Sequence, residues 1–156
     1  MADRIEWVLL AYRMPREPST PRIAVWRKFR RLGVVQIVDG LVALPSDART
    51  KEQLEWLADE VREAGGEATI WVGELASKAA EREMARRMAD AVASEYRAIA
   101  DAADDVATET DVVRRRTLAR LRRELRRVGR RDYFPPPERD PARVAVEQLG
   151  ATVAVS

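Results

Sequence analysis

The sequence contains no cysteine and no histidine, and only three of its 156 residues are lysine. The lack of cysteine excludes disulfides, thiolate nucleophiles and thiolate metal ligands. The lack of histidine excludes an imidazole base and with it a Ser-His-Asp triad. A glycine loop that could hold a phosphate group is also missing. We therefore expect a protein that is not an enzyme, with no catalytic residues, no metal and no cofactor.

Long apolar runs are missing as well. None approaches the roughly 20 residues that a membrane-spanning helix needs. The first residues, MADRIEW, include acids and do not resemble a signal peptide. We expect a soluble, cytoplasmic protein without membrane contact. The length suits one domain, or one domain with an extension.

The first 75 residues predict alternating strands and helices. Strands are expected at 7–14, 34–38, 41–44 and 67–73, with helices at about 19–32 and 46–64. In the first helix, Ser19 or Thr20 is the expected N-cap, and Val25, Trp26, Phe29 and Leu32 are expected to face the core. The order of strand, helix, strand, strand, helix, strand is that of an α+β, ferredoxin-like split βαββαβ sheet.

Two features of this sheet lead to further predictions. Asp39-Gly40 lies between two apolar strands and predicts a hairpin with a type I′ turn. The strands are apolar on both faces, and Trp7 and Trp71 would lie on the face that the two helices leave open. A large exposed apolar patch usually marks an interface. We therefore expect C-terminal helices or a second subunit to cover this face, and we expect Trp56 to anchor a packed C-terminal helix.

The remaining residues predict a helical extension. Helices are expected at 76–103, at 111–128 with Gly129 ending it, and from Asp140 to about Leu149, with an acidic hinge at 101–111. The predicted domains are 1–75 for the α+β domain, 76–150 for the helical extension and 151–156 for a tail.

Charge is strongly segregated along the chain, although the net charge is only +2. Residues 112–156 contain 12 basic and 5 acidic side chains, and ten arginines lie within 114–131. Arginine forks match phosphate or another oxyanion. The candidate nucleic-acid or oxyanion contacts are Arg27, Arg30 and Arg31 on the first helix and Arg115, Arg116, Arg122, Arg123, Arg126 and Arg127 on the later one.

Plainer interpretations remain open for these residues. Both arginine sets could be solvated helix faces, and the later one could be neutralised by Asp101, Asp104, Asp105, Glu109 and Asp111. Of these acids, Asp101, Asp104, Asp105 and Glu109 could hold a hard cation. They lack the glycine and the ligand spacing of a calcium loop, so a helix boundary explains them better. Asp39 is better explained by the hairpin turn than by a nuclease metal site. No basic run is interleaved with aromatic residues as in a platform for single-stranded nucleic acid.

Several segments resemble the N-terminal domain of the chromate resistance protein ChrB. These are WVLLAYRMPREPST, VWRKFRRLGVVQIVDGLVALP, LEWLADEVREAGGEATIW and LARLRRELRRVGRRDYFPPPERDPARVAVEQL. Part of this pattern is shared with the ferredoxin-like middle domain of PaaX-type repressors. The resemblance implies a transcriptional regulator of chromate efflux, and longer members of the family carry a further C-terminal domain.

We therefore expect a non-enzymatic regulatory module that contacts DNA through its arginine-rich helices, with chromate or another oxyanion as a further ligand. We also expect it to form a homodimer. The alternative is a structural dimerisation or protein-interaction module without affinity for DNA.

Overall fold

The computed structural model describes residues 4–154. Its elements in chain order are β1 (Trp7–Arg13), α1 (Ser19–Leu32), β2 (Val35–Val38), β3 (Leu41–Pro45), α2 (Ala48–Glu63), β4 (Glu67–Gly73), α3 (Lys78–Asp105), α4 (Asp111–Arg130) and α5 (Arg139–Ala154). The chain forms two compact units, and the boundary between them falls inside α3, after Ala85. The domain limits expected from the sequence stay a prediction.

The first unit contains a four-stranded antiparallel sheet in the order β2-β3-β1-β4. This confirms the predicted α+β, ferredoxin-like split arrangement. Helix α2 packs against β1 and β4, and α1 packs against α2. The inward residues of these elements form the core of this unit, with Val8, Leu10, Phe29, Val42, Leu44, Leu54, Ala58 and Val61 fully buried.

The N-termini of α1 and α2 differ in how they are capped. Asp47 caps α2 in a reciprocal capping box: its carboxylate accepts from the Thr50 backbone N–H at 2.7 Å, and Thr50 Oγ1 accepts from the Asp47 N–H at 2.9 Å. The N-cap of α1 is Pro18, without a side-chain hydrogen bond, so the prediction of Ser19 or Thr20 as the cap was wrong. At the other end of α1, Gly33 adopts φ 76° and closes the helix.

The hairpin between β2 and β3 turns at Asp39-Gly40, but not with the predicted geometry. Gly40 has φ 79°, and no residue other than glycine has a positive φ within the described part of the chain. A type I′ turn needs positive φ at both central residues, so that part of the prediction was wrong. The Gly40 carbonyl accepts a hydrogen bond from the Tyr12 N–H at 2.8 Å, which fixes the turn against the end of β1.

The sheet face bearing Leu9 and Trp71 is only partly covered. Leu9 pairs with both Ala43 and Trp71, so these residues share a face. Trp7 and Ala43 on this face are buried, whereas Trp71 is 61% exposed. Trp56 on α2 is 67% exposed, so the prediction that it anchors a packed helix was wrong.

The second unit is helical and has its own core. Buried apolar residues of α3, α4 and α5 pack together, namely Val92, Tyr96, Ile99, Ala103, Leu118, Leu121, Val128, Ala142, Val146, Leu149 and Val153. Helix α4 includes Gly129, which was predicted to end it. Helix α5 runs beyond its predicted end at Leu149 as far as Ala154, and Val155 and Ser156 of the predicted tail lie outside the described residues.

A polar contact ties the turn after α4 to α3. The Tyr96 hydroxyl donates to Asp132 Oδ2 at 2.7 Å. Burial first, and then this hydrogen bond and the negative charge of Asp132, raise the pKa of Tyr96 above its usual range. Tyr96 therefore stays protonated and keeps its role as a donor.

Candidate nucleic-acid interface

The candidate arginines of α4 lie on the side of the helix that faces away from its core. Leu118, Leu121 and Val128 point into the core, and Leu125 is half-buried beside them. Arg116, Arg123 and Arg127 recur at helical spacing on the opposite side, and Arg120 and Arg130 continue the same stripe. Arg115, Arg122 and Arg126 form a second stripe next to it. At about 1.5 Å per residue, the first stripe from Arg116 to Arg130 is about 21 Å long.

Most of these side chains are exposed and form no ion pair inside the unit. All six candidate arginines of α4 are exposed. Arg115 binds Asp111 Oδ2 through its Nε at 2.6 Å. For the other five, which are Arg116, Arg122, Arg123, Arg126 and Arg127, residues 4–154 supply no salt-bridge partner. Their charge is therefore not neutralised by an acid among the described residues.

The acids of 101–111 leave most of this arginine surface unpaired. Only Asp111 forms ion pairs with α4, and its partners are Arg114 and Arg115 in the first turn of the same helix. Asp101, Asp104, Asp105 and Glu109 form no salt bridge with any residue in the described range. Within that range, no group of three or more acidic side chains could hold a metal ion.

Glu124 is the one acid among residues 112–131. Its Oε1 accepts from Arg120 Nη1 at 2.8 Å, an i,i+4 pair on the exposed surface. Arg127 lines a small cavity of about 300 Å³ together with Glu95, Glu124 and Arg131. Arg131 itself is bound to Glu95 of α3, so this end of the surface is partly neutralised.

The candidate arginines of α1 form a shorter stripe. Arg27, Arg30 and Arg31 are exposed, and the described residues offer them no ion-pair partner. Lys28, which directly follows Arg27, is instead paired with Glu60 of α2. The two arginine sets belong to different units, and within each unit the arginines of one set lie along a single helix.

The α1 surface includes an aromatic residue that sequence reasoning had placed in the core. Val25 and Phe29 are buried, but Trp26 is 39% exposed, so the prediction for Trp26 was wrong. It lies four residues after Arg22 and four before Arg30, so the three side chains are neighbours along one helix face. Trp26 is therefore an exposed aromatic residue among the basic side chains of α1. The sequence already indicated that Trp26 is exposed, because Val25, Phe29 and Leu32 complete the inward stripe without it.

The sequence of the chain matches a known protein family. A family model described as "Protein ChrB, N-terminal" matches residues 22–154, which include all of α4 and all but the first three residues of α1. The chain belongs to the ChrB N-terminal family. This confirms the resemblance seen in the sequence. The chain is also 30% identical, over 143 residues, to Protein ChrB of Cupriavidus metallidurans.

That alignment covers 83% of this chain and 40% of the relative, so the chain spans well under half the length of the protein it matches. No solved structure matches the chain. Within residues 4–154, no helix is both long enough and apolar enough to cross a membrane.

Proposed function

We propose that this chain is a non-enzymatic regulatory module of chromate resistance, and that it contacts DNA through the arginine surface of α4. The observation that carries the proposal is the run of five exposed arginines on α4 without an ion-pair partner in the described residues. Membership of the ChrB N-terminal family supports the link to chromate, and it supports the regulatory role only as an inference.

The chemistry of this surface suits the phosphate backbone of DNA better than its bases. Double-stranded DNA carries one negative charge per about 1.7 Å of helix axis, and each neutralised phosphate releases counterions. A surface of about 21 Å with arginine on two adjacent stripes supplies several such contacts at once. The guanidinium fork also matches a tetrahedral dianion, so chromate could compete for the same side chains.

The test is binding of the full chain to a labelled duplex from its own upstream region, measured by fluorescence anisotropy over a range of salt concentrations. Arg123→Gln combined with Arg127→Gln should weaken binding by roughly tenfold or more, because each removes a charge-assisted contact. The slope of log K against log salt should become shallower by about 2. Chromate should lower the affinity more than a monovalent salt of equal ionic strength.

A control with the same change of charge is available in the other unit. Arg49→Gln combined with Arg82→Gln also removes two exposed arginines that have no ion-pair partner in the described residues. This variant should keep nearly all affinity. Equal losses in both variants would mean that net charge alone drives binding, and absence of binding at low salt would remove the DNA proposal altogether.

A second candidate function is dimerisation without DNA contact. Trp71 favours it, because this residue is 61% exposed on the sheet face that is only partly covered. Large exposed aromatic residues commonly mark protein interfaces. Sedimentation velocity of the wild type and of Trp71→Ser, combined with the anisotropy titration, tests this candidate. A wild-type dimer that Trp71→Ser converts to a monomer, with no DNA binding by the wild type, would favour it. A wild type that stays monomeric at high concentration would exclude this candidate.

A further inference from the structure

A cleft of about 720 Å³ lies where β1 ends. It is lined by the end of β1, by the loop that follows, by α1 and by the turn between β2 and β3. Its polar and aromatic lining includes Tyr12, Arg13, Arg16, Arg22, Trp26 and Asp39. A volume of this order falls in the range of small-molecule sites. The arginine surface of α4 contributes nothing to the cleft, which belongs wholly to the first unit.

One part of the lining is aromatic and apolar, and it is open to solvent. Trp26 is 39% exposed and Ile23 is 45% exposed, although both lie on a helix whose inward face is already filled. The Tyr12 ring is held in place by Phe29, with ring centroids 5.0 Å apart and an interplanar angle of 39°. A fixed aromatic wall that is left unpacked is suited to a flat ring, which would bury it.

The other part of the lining is cationic. Arg13 is paired with Glu67 at 2.9 Å, but Arg16 and Arg22 are exposed and have no ion-pair partner among residues 4–154. Asp39 is the one acid in the lining, and its Oδ1 accepts from Gln36 Nε2 at 3.1 Å. The cleft therefore has two arginines available for an anionic group next to an aromatic wall.

The Tyr12 hydroxyl is available as a donor. Burial, and to a smaller extent the negative charge of Asp39, raise the pKa of Tyr12. The hydroxyl therefore stays protonated at neutral pH, and a ligand in the cleft could accept its hydrogen bond. Asp39 in turn could accept from an amino group or a ring N–H.

We propose that this cleft binds a planar aromatic molecule that carries an anionic group, with the ring against Trp26 and Tyr12 and the anion on Arg16 and Arg22. A bare inorganic oxyanion would leave the aromatic wall exposed, so it fits the lining less well. The site is separate from DNA binding by α4, and it does not depend on the proposed function. Two sources share this chemistry: a nucleotide and an aromatic carboxylic acid.

The test uses the full chain labelled with nitrogen-15, without DNA, and follows the four tryptophan indole N–H signals during titration. The two probes are deoxyadenosine 5′-monophosphate and 1-naphthoate, and their uncharged counterparts are deoxyadenosine and 1-naphthalenemethanol. The Trp26 signal is identified by its loss in Trp26→Leu. We expect a saturable shift of this signal with at least one anionic probe, and a much weaker response to its uncharged counterpart.

Matched variants separate the site from nonspecific binding. Arg16→Gln and Arg22→Gln should each weaken binding about tenfold, which corresponds to about 1.4 kcal/mol. Trp26→Leu should abolish saturable binding in a calorimetric titration. Arg49→Gln and Trp56→Leu alter an exposed arginine and an exposed tryptophan on α2, outside the cleft, so they should leave the affinity unchanged.

Each outcome of these titrations either supports the proposal or overturns it. Binding of the nucleotide alone, of naphthoate alone or of both supports the proposal and identifies the source. The proposal is overturned if neither anionic probe gives a saturable shift of the Trp26 signal. It is also overturned if sulfate alone binds as tightly as the aromatic anions, because the ring would then contribute nothing, or if Arg49→Gln weakens binding as much as Arg22→Gln.

Discussion

The helices α1 and α4 both expose arginine, but they differ in what accompanies it. On α4 the arginines form two adjacent stripes, and the large apolar residues of its middle point inward. Helix α1 carries four exposed arginines, and it also exposes Trp26 and Ile23. Of these side chains, Arg22, Ile23 and Trp26 line a cleft. Charge alone suits a polyanion such as DNA, because phosphates attract any cation. Charge mixed with an aromatic wall suits a ligand that has both a ring and an anionic group.

The largest expected effects are on the free energy of unfolding, and they test whether the buried side chains of α1 and α4 hold each helix in place. Leu121 beneath α4 and Phe29 beneath α1 are both fully buried. Leu121→Ala should lower the free energy of unfolding by about 2–5 kcal/mol, and Phe29→Ala by about 3–5 kcal/mol, because each leaves a cavity. Urea denaturation followed by circular dichroism measures both.

Val112 is 65% exposed on α4, so Val112→Ala is the control and should change the free energy of unfolding by less than about 0.5 kcal/mol. A Leu121→Ala variant as stable as this control would contradict the assignment of Leu121 to the buried side of α4. The outward direction of the arginines would then lose its basis.

Glycines near the two helices should respond oppositely to alanine. Gly40 has φ 79°, and an added Cβ would lie 2.7 Å from the Tyr12 carbonyl oxygen. Gly40→Ala should therefore destabilise the chain by about 1–3 kcal/mol. Gly129 lies within α4 with open space around its Cβ position, so Gly129→Ala should stabilise by about 0.5–1 kcal/mol. Thermal melts of both variants would check the signs, and a shift in the same direction for both would contradict this account.

A smaller effect is expected on DNA affinity, and it ranks α1 and α4 as DNA contacts. Arg27→Gln combined with Arg30→Gln should weaken DNA binding only about threefold, less than Arg123→Gln with Arg127→Gln, because α1 offers fewer adjacent charges to the phosphates. Anisotropy titrations of both double variants at one salt concentration measure the ratio. A larger loss from the α1 variant would reverse the comparison and make α1 the main contact.

The surface of α4 could be predicted from the sequence further than the surface beside α1, because helical periodicity is a local property. The outward arginine side of α4 follows from helical periodicity alone, since Leu118, Leu121, Leu125 and Val128 fix the inward side. The α+β sheet could be predicted for the same reason, from alternation and from Gly33 and Asp39-Gly40. The number of ion pairs could not be predicted, because it depends on whether the acids of 101–109 reach the arginines in space.

The cleft beside α1 was missed for a related reason. Its lining joins residues of β1, of α1 and of a turn that lie far apart in the sequence. Trp26 was assigned to the core because a tryptophan near an apolar stripe is usually buried, whereas here the stripe is filled by Val25 and Phe29. The turn geometry at Asp39 was also missed, because Asp-Gly is compatible with more than one turn type.

The smallest expected effect concerns the single acid within the α4 surface. Glu124 holds Arg120 at 2.8 Å, and Glu124→Gln would remove this exposed pair. Its stability cost should stay within about 0.5 kcal/mol, as is usual for a surface i,i+4 pair. DNA affinity should rise about twofold and the salt slope should steepen by up to about 1, because the surface gains one uncompensated positive charge. Glu60→Gln is the counterpart beside α1, since Glu60 binds Lys28 there. If α4 carries the DNA contact, Glu60→Gln should change the affinity less than Glu124→Gln does, and the reverse order in the same anisotropy titration would assign the contact to α1.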